Sequence, residues 1–325
     1  MTYAISITDI KAAAKRLKGV AVRTPLIESP LLNDRVEGRV FVKAENLQHA
    51  GAFKFRGAYN RLSQFSDAEK SAGVLAFSSG NHAQGIALAA KILGIKATII
   101  MPEDAPTLKV EGTRGYGAEV VFYDRYNEDR EEVAKNVAGD SGVVVVPPYN
   151  NKHIMAGQGT VGLEIAEDLE TLGLTADQAL INCGGAGLAS GVFTALYNAF
   201  PALDGYAVEP EAFDDVKRSL ETGEIQQVDF GSRSICDALL TPSPGTLTFP
   251  ILQGLGVKGI TVTDDEARMA VAYTANTLKQ VGEPGGVVSL AAVLAGKVDV
   301  KDKVTVCVIS GGNIDPEMLR DCLAL

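Results

Sequence analysis

From Val74 onward the chain alternates short apolar runs with longer segments of helical periodicity, and this alternation narrows the fold more than any other feature. GVLAFSS, KATIIMP, AEVVFYD, GVVVVPP, QALINCGG, LDGYAVEP and KVTVCVISGGN read as strands. Between and after them, NHAQGIALAAKILG, APTLKVEGTRGYG, NEDREEVAKNVAG, HIMAGQGTVGLEIAEDLETLG, GLASGVFTALYNAF, DDEARMAVAYTANTLKQVG and DPEMLRDCLA read as helices. In the first of these, Ile86, Ala89, Ala90 and Leu93 recur at helical spacing. Strands apolar on both faces belong to parallel sheets covered by helices on both sides. The expected class is therefore α/β, with two open, mostly parallel α/β domains, since the units outnumber what one small sheet holds. No shift in composition marks a boundary, so the chain is expected to cross between domains more than once. The opening MTYAISITDIKAAAKRL reads as an amphipathic helix capped by Ser6 or Thr8, with Ile10, Ala13, Ala14 and Leu17 on one face.

Bulk properties remove several function classes. A formal net charge of -10 disfavours phosphate-rich partners, so nucleic-acid binding is not expected. Cys183, Cys236, Cys307 and Cys322 form no CxxC pair, which fits buried thiols in a reducing compartment better than a disulfide framework or a zinc site. His49, His82 and His153 are too far apart in sequence to suggest a histidine metal cluster. No run reaches about 18 uninterrupted apolar residues. A membrane span is not expected, and the cytoplasm is the expected compartment.

Three strand ends carry small residues where a ligand-binding turn would need them: SSGNHA (78–83), CGGAGL (183–188) and SGGN (310–313). Each reads as strand, close turn and helix start, and amide N–H groups at a helix N-terminus hold phosphate or carboxylate. Each also reads as a plain tight connection. GAGLAS (185–190) partly matches the dinucleotide pattern GxGxxG, with Glu209 at the spacing of a ribose-binding acid. Ser190 stands where the third Gly or Ala of that pattern belongs, which counts against a nicotinamide site. The octapeptide GAFKFRGA sets Lys54 and Arg56 among Phe53, Phe55 and small residues. Lysine is seldom buried unless paired. Lys54 either reaches water at the end of an element, or it is a desolvated amine able to form a Schiff base.

Taken together, KAENLQHAGAFKFRGA, SSGNHAQG, MPEDAP, AGQGTVGLEI, CGGAGLASG, VEPEAFDD and SGGN resemble one family. It is the serine/threonine dehydratase and serine racemase group of pyridoxal-phosphate (PLP) enzymes, of the tryptophan-synthase-like fold. The resemblance runs from about Arg23 to Asn313. It implies that Lys54 is the Schiff-base lysine and that Phe53 packs near the cofactor ring. It implies that Gly184, Gly185, Ala186, Gly187 and Leu188 hold the phosphate. Asn81 matches the partner of the ring hydroxyl, Ser310 the group facing the pyridine nitrogen, and Glu283 a further cofactor contact. A serine hydroxyl is a neutral partner for that nitrogen, which favours loss of a β-substituent over transamination.

Ser78, Ser79, Gly80, Asn81 and His82 match the loop that takes the substrate carboxylate. Ser79 also matches the serine opposite the lysine in the racemases, and Arg130 an arginine that meets the distal end of acidic ligands. Glu209, the carbonyl of Phe213 and Asp215 match a divalent-cation site for Mg or Ca. Read without the resemblance, Arg130 is a solvated helix residue, Glu209 a strand-end acid and Asp215 a helix-start acid. The resemblance further implies a homodimer. It implies a large PLP-binding domain of residues 1–47 and 148–325 and a small mobile domain of residues 48–147. The chain ends at Leu325 without the regulatory extension of the biosynthetic threonine enzymes, so isoleucine feedback is not expected. Ala186 and Ala238 replace usual glycines, Ala50 and Ala52 take positions that often bear hydroxyls, and EPGGVV (283–288) replaces Glu-Pro-Ser-Gly-Ala. These departures leave the substrate open. The implied reaction is β-elimination of water from serine, threonine or 3-hydroxyaspartate, with racemisation of serine or aspartate as the alternative.

Overall fold

The apolar runs assemble into two sheets. In the computed structural model, residues 3–78, 80–105, 107–124, 127–128, 130–139, 141–229 and 231–325 are described, without the side chains of Leu108, Arg130 and Glu131. The strands are β1 (Leu26–Glu28), β2 (Arg39–Ala44), β3 (Val74–Phe77), β4 (Ala97–Pro102), β5 (Glu119–Tyr123), β6 (Val144–Val145), β7 (Gln178–Asn182), β8 (Asp204–Pro210), β9 (Lys258–Val262) and β10 (Val304–Ile309). One sheet has the order β1-β2-β10-β7-β8-β9 and the other β5-β4-β3-β6. Only the β1–β2 ladder is antiparallel among the described strands. The chain leaves the larger sheet after β2, builds the smaller one and returns at β7. Every residue of β7 is buried, as are all but the first of β10, which explains their unbroken apolar runs.

Local signals act as their chemistry requires. Ser6, not Thr8, is the N-cap of the first helix, Ile7–Leu17, and its amide donates to the Asp9 carboxylate at 2.8 Å. Ile10, Ala13 and Leu17 of that helix are buried, whereas Ala14 is only half-buried. Asn151 caps the helix Lys152–Thr171, its side chain accepting from the amides of His153 and Ile154. One expectation fails. Ser310–Asn313 opens no helix; the following helix begins only at Pro316. Gly311 instead bridges Ala52, so this turn clasps the segment that leads into Lys54.

Helix Lys152–Thr171 lies at the centre of the molecule, and glycine governs its contacts. A Cβ on Gly157 would stand 2.6 Å from Gly57 Cα, in the helix Lys54–Leu62. A Cβ on Gly191, in the helix Gly187–Ala199, would stand 2.6 Å from the amide nitrogen of Gly159. Backbone therefore meets backbone on two sides of the central helix. At the junction of β7 with the helix Gly187–Ala199, Ala186 has φ +63°, the left-handed region that glycine adopts freely.

Gly157→Ala is expected to lower stability by about 1–3 kcal/mol through overpacking, read as a lower urea midpoint. Ala186→Gly is expected to raise it by up to about 1 kcal/mol, because an L-residue in that region is strained. An unchanged or lower midpoint for Ala186→Gly would show that the turn carries no strain.

Candidate active site

Lys54 is the first residue of its helix. The Phe53 amide donates to the Ser310 carbonyl at 3.0 Å, which ties this helix start to the end of β10. Lys54 is half-buried, and the face it exposes turns into a cavity. Its Nζ donates to the Pro148 carbonyl at 3.0 Å and lies 5.1 Å from the centre of the Phe53 ring. No carboxylate pairs with it among the described residues. Burial pushes its pKa down to about 8. The positive end of the helix works in the same direction.

Arg56, two residues on, has the opposite fate. It is fully buried and bonded to Glu45 and Glu164 through four N–H···O contacts of 2.7–2.9 Å. The two cations of GAFKFRGA are thus separated by helix geometry, one into a charge cluster and one into the cavity.

The cavity, about 460 Å³, lies beyond the carboxyl ends of β3, β4, β7 and β10, where ligands of open α/β sheets bind. One end is lined by Gly184, Gly185, Ala186, Gly187 and Leu188. The amides of Gly184, Gly185, Gly187 and Leu188 donate to no acceptor among the described residues. Such free N–H groups at a helix start suit a phosphate. A Cβ on Gly187 would stand 2.7 Å from Tyr149 Cβ, so the loop is glycine-rich where it passes Tyr149.

Ser78, Gly80, Asn81 and His82 line another wall, at the start of the helix Asn81–Leu93. Ser79 lies outside the described residues. Asn81 Nδ2 donates to Glu283, and Asn81 Oδ1 accepts from Asn313 Nδ2 at 2.8 Å. Glu283 therefore stands behind Asn81 and is not part of the cavity wall. Burial, then the charge of Asp237, pushes Glu283 up to about 7. His82 is buried. Burial, then nearby Lys54, lowers its pKa to about 3, so the ring is neutral. Its Nε2 lies 3.0 Å from the Val146 carbonyl and must donate there, which leaves Nδ1 as an acceptor. Arg130 begins the helix Arg130–Ala138, and its side chain lies outside the described residues.

Glu209 and Asp215 sit away from the cavity wall. The Glu209 carboxylate accepts from the amides of Val216 (2.9 Å) and Lys217 (2.8 Å), capping the helix Asp215–Thr222. It is thereby turned from any ribose at the glycine loop. Burial lifts Glu209 well above the carboxylate range and Asp215 up to about 7. Both Asp215 oxygens are buried without a partner among the described residues. No group of three or more His, Cys, Asp or Glu is placed to hold a metal there or elsewhere among them.

Sequence reasoning missed Asn182, Pro148, Lys109 and Asp237, all in the cavity wall. A polar residue ending the fully buried run QALIN is the signal that could have found Asn182. Lys109, 5% exposed, pairs with Asp237 across 128 positions of sequence, and no local pattern announces such a contact. All four cysteines are buried and free, as their spacing suggests. No helix among the described residues is long and apolar enough to cross a membrane.

A family profile described as pyridoxal-phosphate dependent enzyme matches residues 17–311. The chain is 44% identical over 309 residues to the serine racemase of Schizosaccharomyces pombe, covering 95% of this chain and 94% of that protein. It is 43% identical over 315 residues to the L-threo-3-hydroxyaspartate ammonia-lyase of a Pseudomonas species, covering 97% of each. The solved structure of maize serine racemase aligns with a TM-score of 0.92 at 35% identity, over 99% of this chain and 98% of that one. A desolvated lysine facing a loop of free amides, on this fold and with these relatives, has one reading: the chain belongs to the pyridoxal-phosphate-dependent enzymes.

Proposed function

We propose that the protein is an ammonia-lyase that removes water from a small 3-hydroxy amino acid, giving a 2-oxo acid and ammonia. Serine, threonine and 3-hydroxyaspartate are the candidate substrates. The observation that carries this reading is the Lys54 amine, unpaired with any described carboxylate and lowered to about 8. PLP, when bound, supplies the electron sink that makes the substrate α-proton acidic.

The chain's own residues do the rest. Lys54 Nζ is the covalent anchor for the cofactor, and as a neutral amine it takes the α-proton as general base. Pro148 O, as acceptor, orients that nitrogen. Gly184, Gly185, Gly187 and Leu188 offer their amides to the phosphate, with Ala186 forming the turn between them. Phe53 would pack beside the ring, Asn81 would meet its hydroxyl with Glu283 and Asn313 behind it, and Ser310 would meet its nitrogen. Ser78, Ser79, Gly80 and His82 take the substrate carboxylate, and Arg130 suits the distal carboxylate of 3-hydroxyaspartate. Residues 48–147 act as a small domain that closes over substrate and excludes water. The working form is a homodimer.

Racemisation is the second reading, with Ser79 delivering a proton to the face opposite Lys54. The similarity to the S. pombe serine racemase supports it. Absorption of the purified protein in the visible range tests cofactor binding, and addition of each amino acid tests turnover. Equal release of 2-oxo acid and ammonia from one of them supports the lyase. Interconversion of enantiomers without release makes the protein a racemase, and a colourless protein that takes up no PLP defeats both.

Lys54→Met is expected to abolish turnover while raising the stability of the cofactor-free protein at pH 7. A fall from 10.5 to about 8 means that charging the buried amine opposes folding. Discounted for water in the cavity, the gain is about 2 kcal/mol. The unfolded chain holds the extra proton between pH 8 and 10.5, so wild-type stability rises through that window. The advantage of Lys54→Met should shrink across it, as read by urea midpoints. An advantage that does not change with pH would show that the amine is not desolvated.

A divalent cation, Mg or Ca, is proposed at Asp215, Glu209 and the Phe213 carbonyl. The support is the pair of partnerless Asp215 oxygens, since hard cations take oxygen ligands. Millimolar Mg or Ca should raise the melting temperature of the wild type and not that of Asp215→Asn. Equal shifts in both proteins would remove the site.

A further inference from the structure

Asn182 is the last residue of β7, 2% exposed, on the strand that leads into the glycine loop. Its Nδ2 donates to the Gly286 carbonyl at 2.6 Å and to Ser310 Oγ at 3.0 Å. Its Oδ1 accepts from the Ser289 amide at 3.0 Å. These partners settle which way the amide points. A carbonyl can only accept and a backbone N–H can only donate, so the nitrogen must face Gly286 and the oxygen Ser289. The second Nδ2 hydrogen then falls on Ser310, whose hydroxyl is an acceptor at that contact.

The Ser310 hydroxyl donates to no acceptor among the described residues, although the residue is 4% exposed and lines the cavity. A hydroxyl that already accepts from Asn182 is best completed by donating its own proton into the cavity. Were it to accept a second time, from a protonated ring nitrogen, its proton would be buried without a partner.

We propose that Asn182 is a positioning residue that fixes Ser310 as a hydrogen-bond donor, so that the site holds its heteroaromatic ring with the ring nitrogen unprotonated. This rests on the reading that PLP binds here with its nitrogen at Ser310. It adds the direction of that hydrogen bond and the residue that sets it. A ring held this way is a weaker electron sink, which favours loss of the β-substituent over transamination.

The test uses holoenzyme reconstituted with PLP carrying nitrogen-15 in the ring, without substrate. The wild-type resonance is expected at the position of an unprotonated, hydrogen-bonded pyridine. In Asn182→Asp the carboxylate draws the Ser310 proton toward itself, and the resonance is expected to move upfield to the pyridinium position. A wild-type resonance already at the pyridinium position overturns the proposal, as does a folded, PLP-loaded Asn182→Asp protein with an unmoved resonance.

A thermodynamic cycle keeps the question open to an answer if Asn182→Asp does not load. Asn182→Leu and Ser310→Ala are each expected to weaken PLP binding about tenfold, the worth of one oriented hydrogen bond. The double variant should lose no more than Ser310→Ala alone, because Asn182 acts through that hydroxyl. Additive losses would mean that Asn182 serves only the surrounding structure, and would overturn the proposal. If Ser310→Ala changes neither the resonance nor the affinity, the placement of the ring nitrogen fails, an outcome distinct from a failure of Asn182.

Discussion

The site depends on the approach of backbone to backbone along the helix Lys152–Thr171. Gly157 lets the helix that begins at Lys54 come within contact of this central helix, and Gly159 opposite Gly191 does the same for the helix that begins at Gly187. The lysine and the glycine loop are thereby referred to one rigid element, though they come from different sheets' connections. Any side chain at these seams would push one of the two helices outward. A displacement of about an ångström between an amine and a loop of free amides is enough to spoil a reaction that relies on orientation.

The same packing sorts charge. Arg56 enters a cluster in which Glu45, Glu164 and Lys43 are all within ion-pair distance of a neighbour, and Thr24 completes the Glu45 carboxylate. Breaking such a cluster strands a buried charge, which costs several kcal/mol, roughly 3–5 in comparable cases. This anchors the first turn of the helix from the side away from the cavity. Lys54 can then be left without a counter-charge, because its helix does not rely on it for stability. The aliphatic stem of Lys54 and the ring of Phe53 are held at the cavity by Arg56 and by the clasp between Ala52 and Gly311.

The parts of this arrangement visible in sequence were those with local periodicity or local chemistry. The strands from β3 to β8 and β10, the helices that connect β3 through β8, the helix Asp264–Asn276 and the first two small-residue turns follow from runs of a few residues. β1, β2 and β9 are weaker signals: Leu26–Glu28 has only three residues, the apolar run of Arg39–Ala44 is interrupted by the buried Lys43, and Lys258–Val262 is mostly half-buried. The third turn was misread because Ser310–Asn313 has the composition of a helix start while its glycine is spent on a bridge to Ala52. Lys54 could be singled out as an odd residue in an apolar stretch, but the octapeptide left its chemistry undecided against solvation. Only the resemblance, and then the cavity, separated it from Arg56. Contacts between residues more than a hundred positions apart, such as Lys109 with Asp237 or Asn182 with Ser310, leave no local trace at all.

In this chain of net charge -10 the cavity wall carries no cluster of bases among the described residues. The glycine-loop end offers backbone amides, whose partial charges are fixed by the fold and bring no full positive charge near Lys54. The other described lysine in the wall, Lys109, is matched by Asp237. Burial lowers Lys54, the positive end of its helix acts in the same direction, and no carboxylate pairs with it among the described residues. Lysines and arginines in place of those amides would lower the amine further, but their field would rise and fall with ionic strength. Dipoles and desolvation give a base near physiological pH that salt scarcely touches. Ser310 adds a neutral hydroxyl to the same wall, and that hydroxyl accepts from the Asn182 amide behind it.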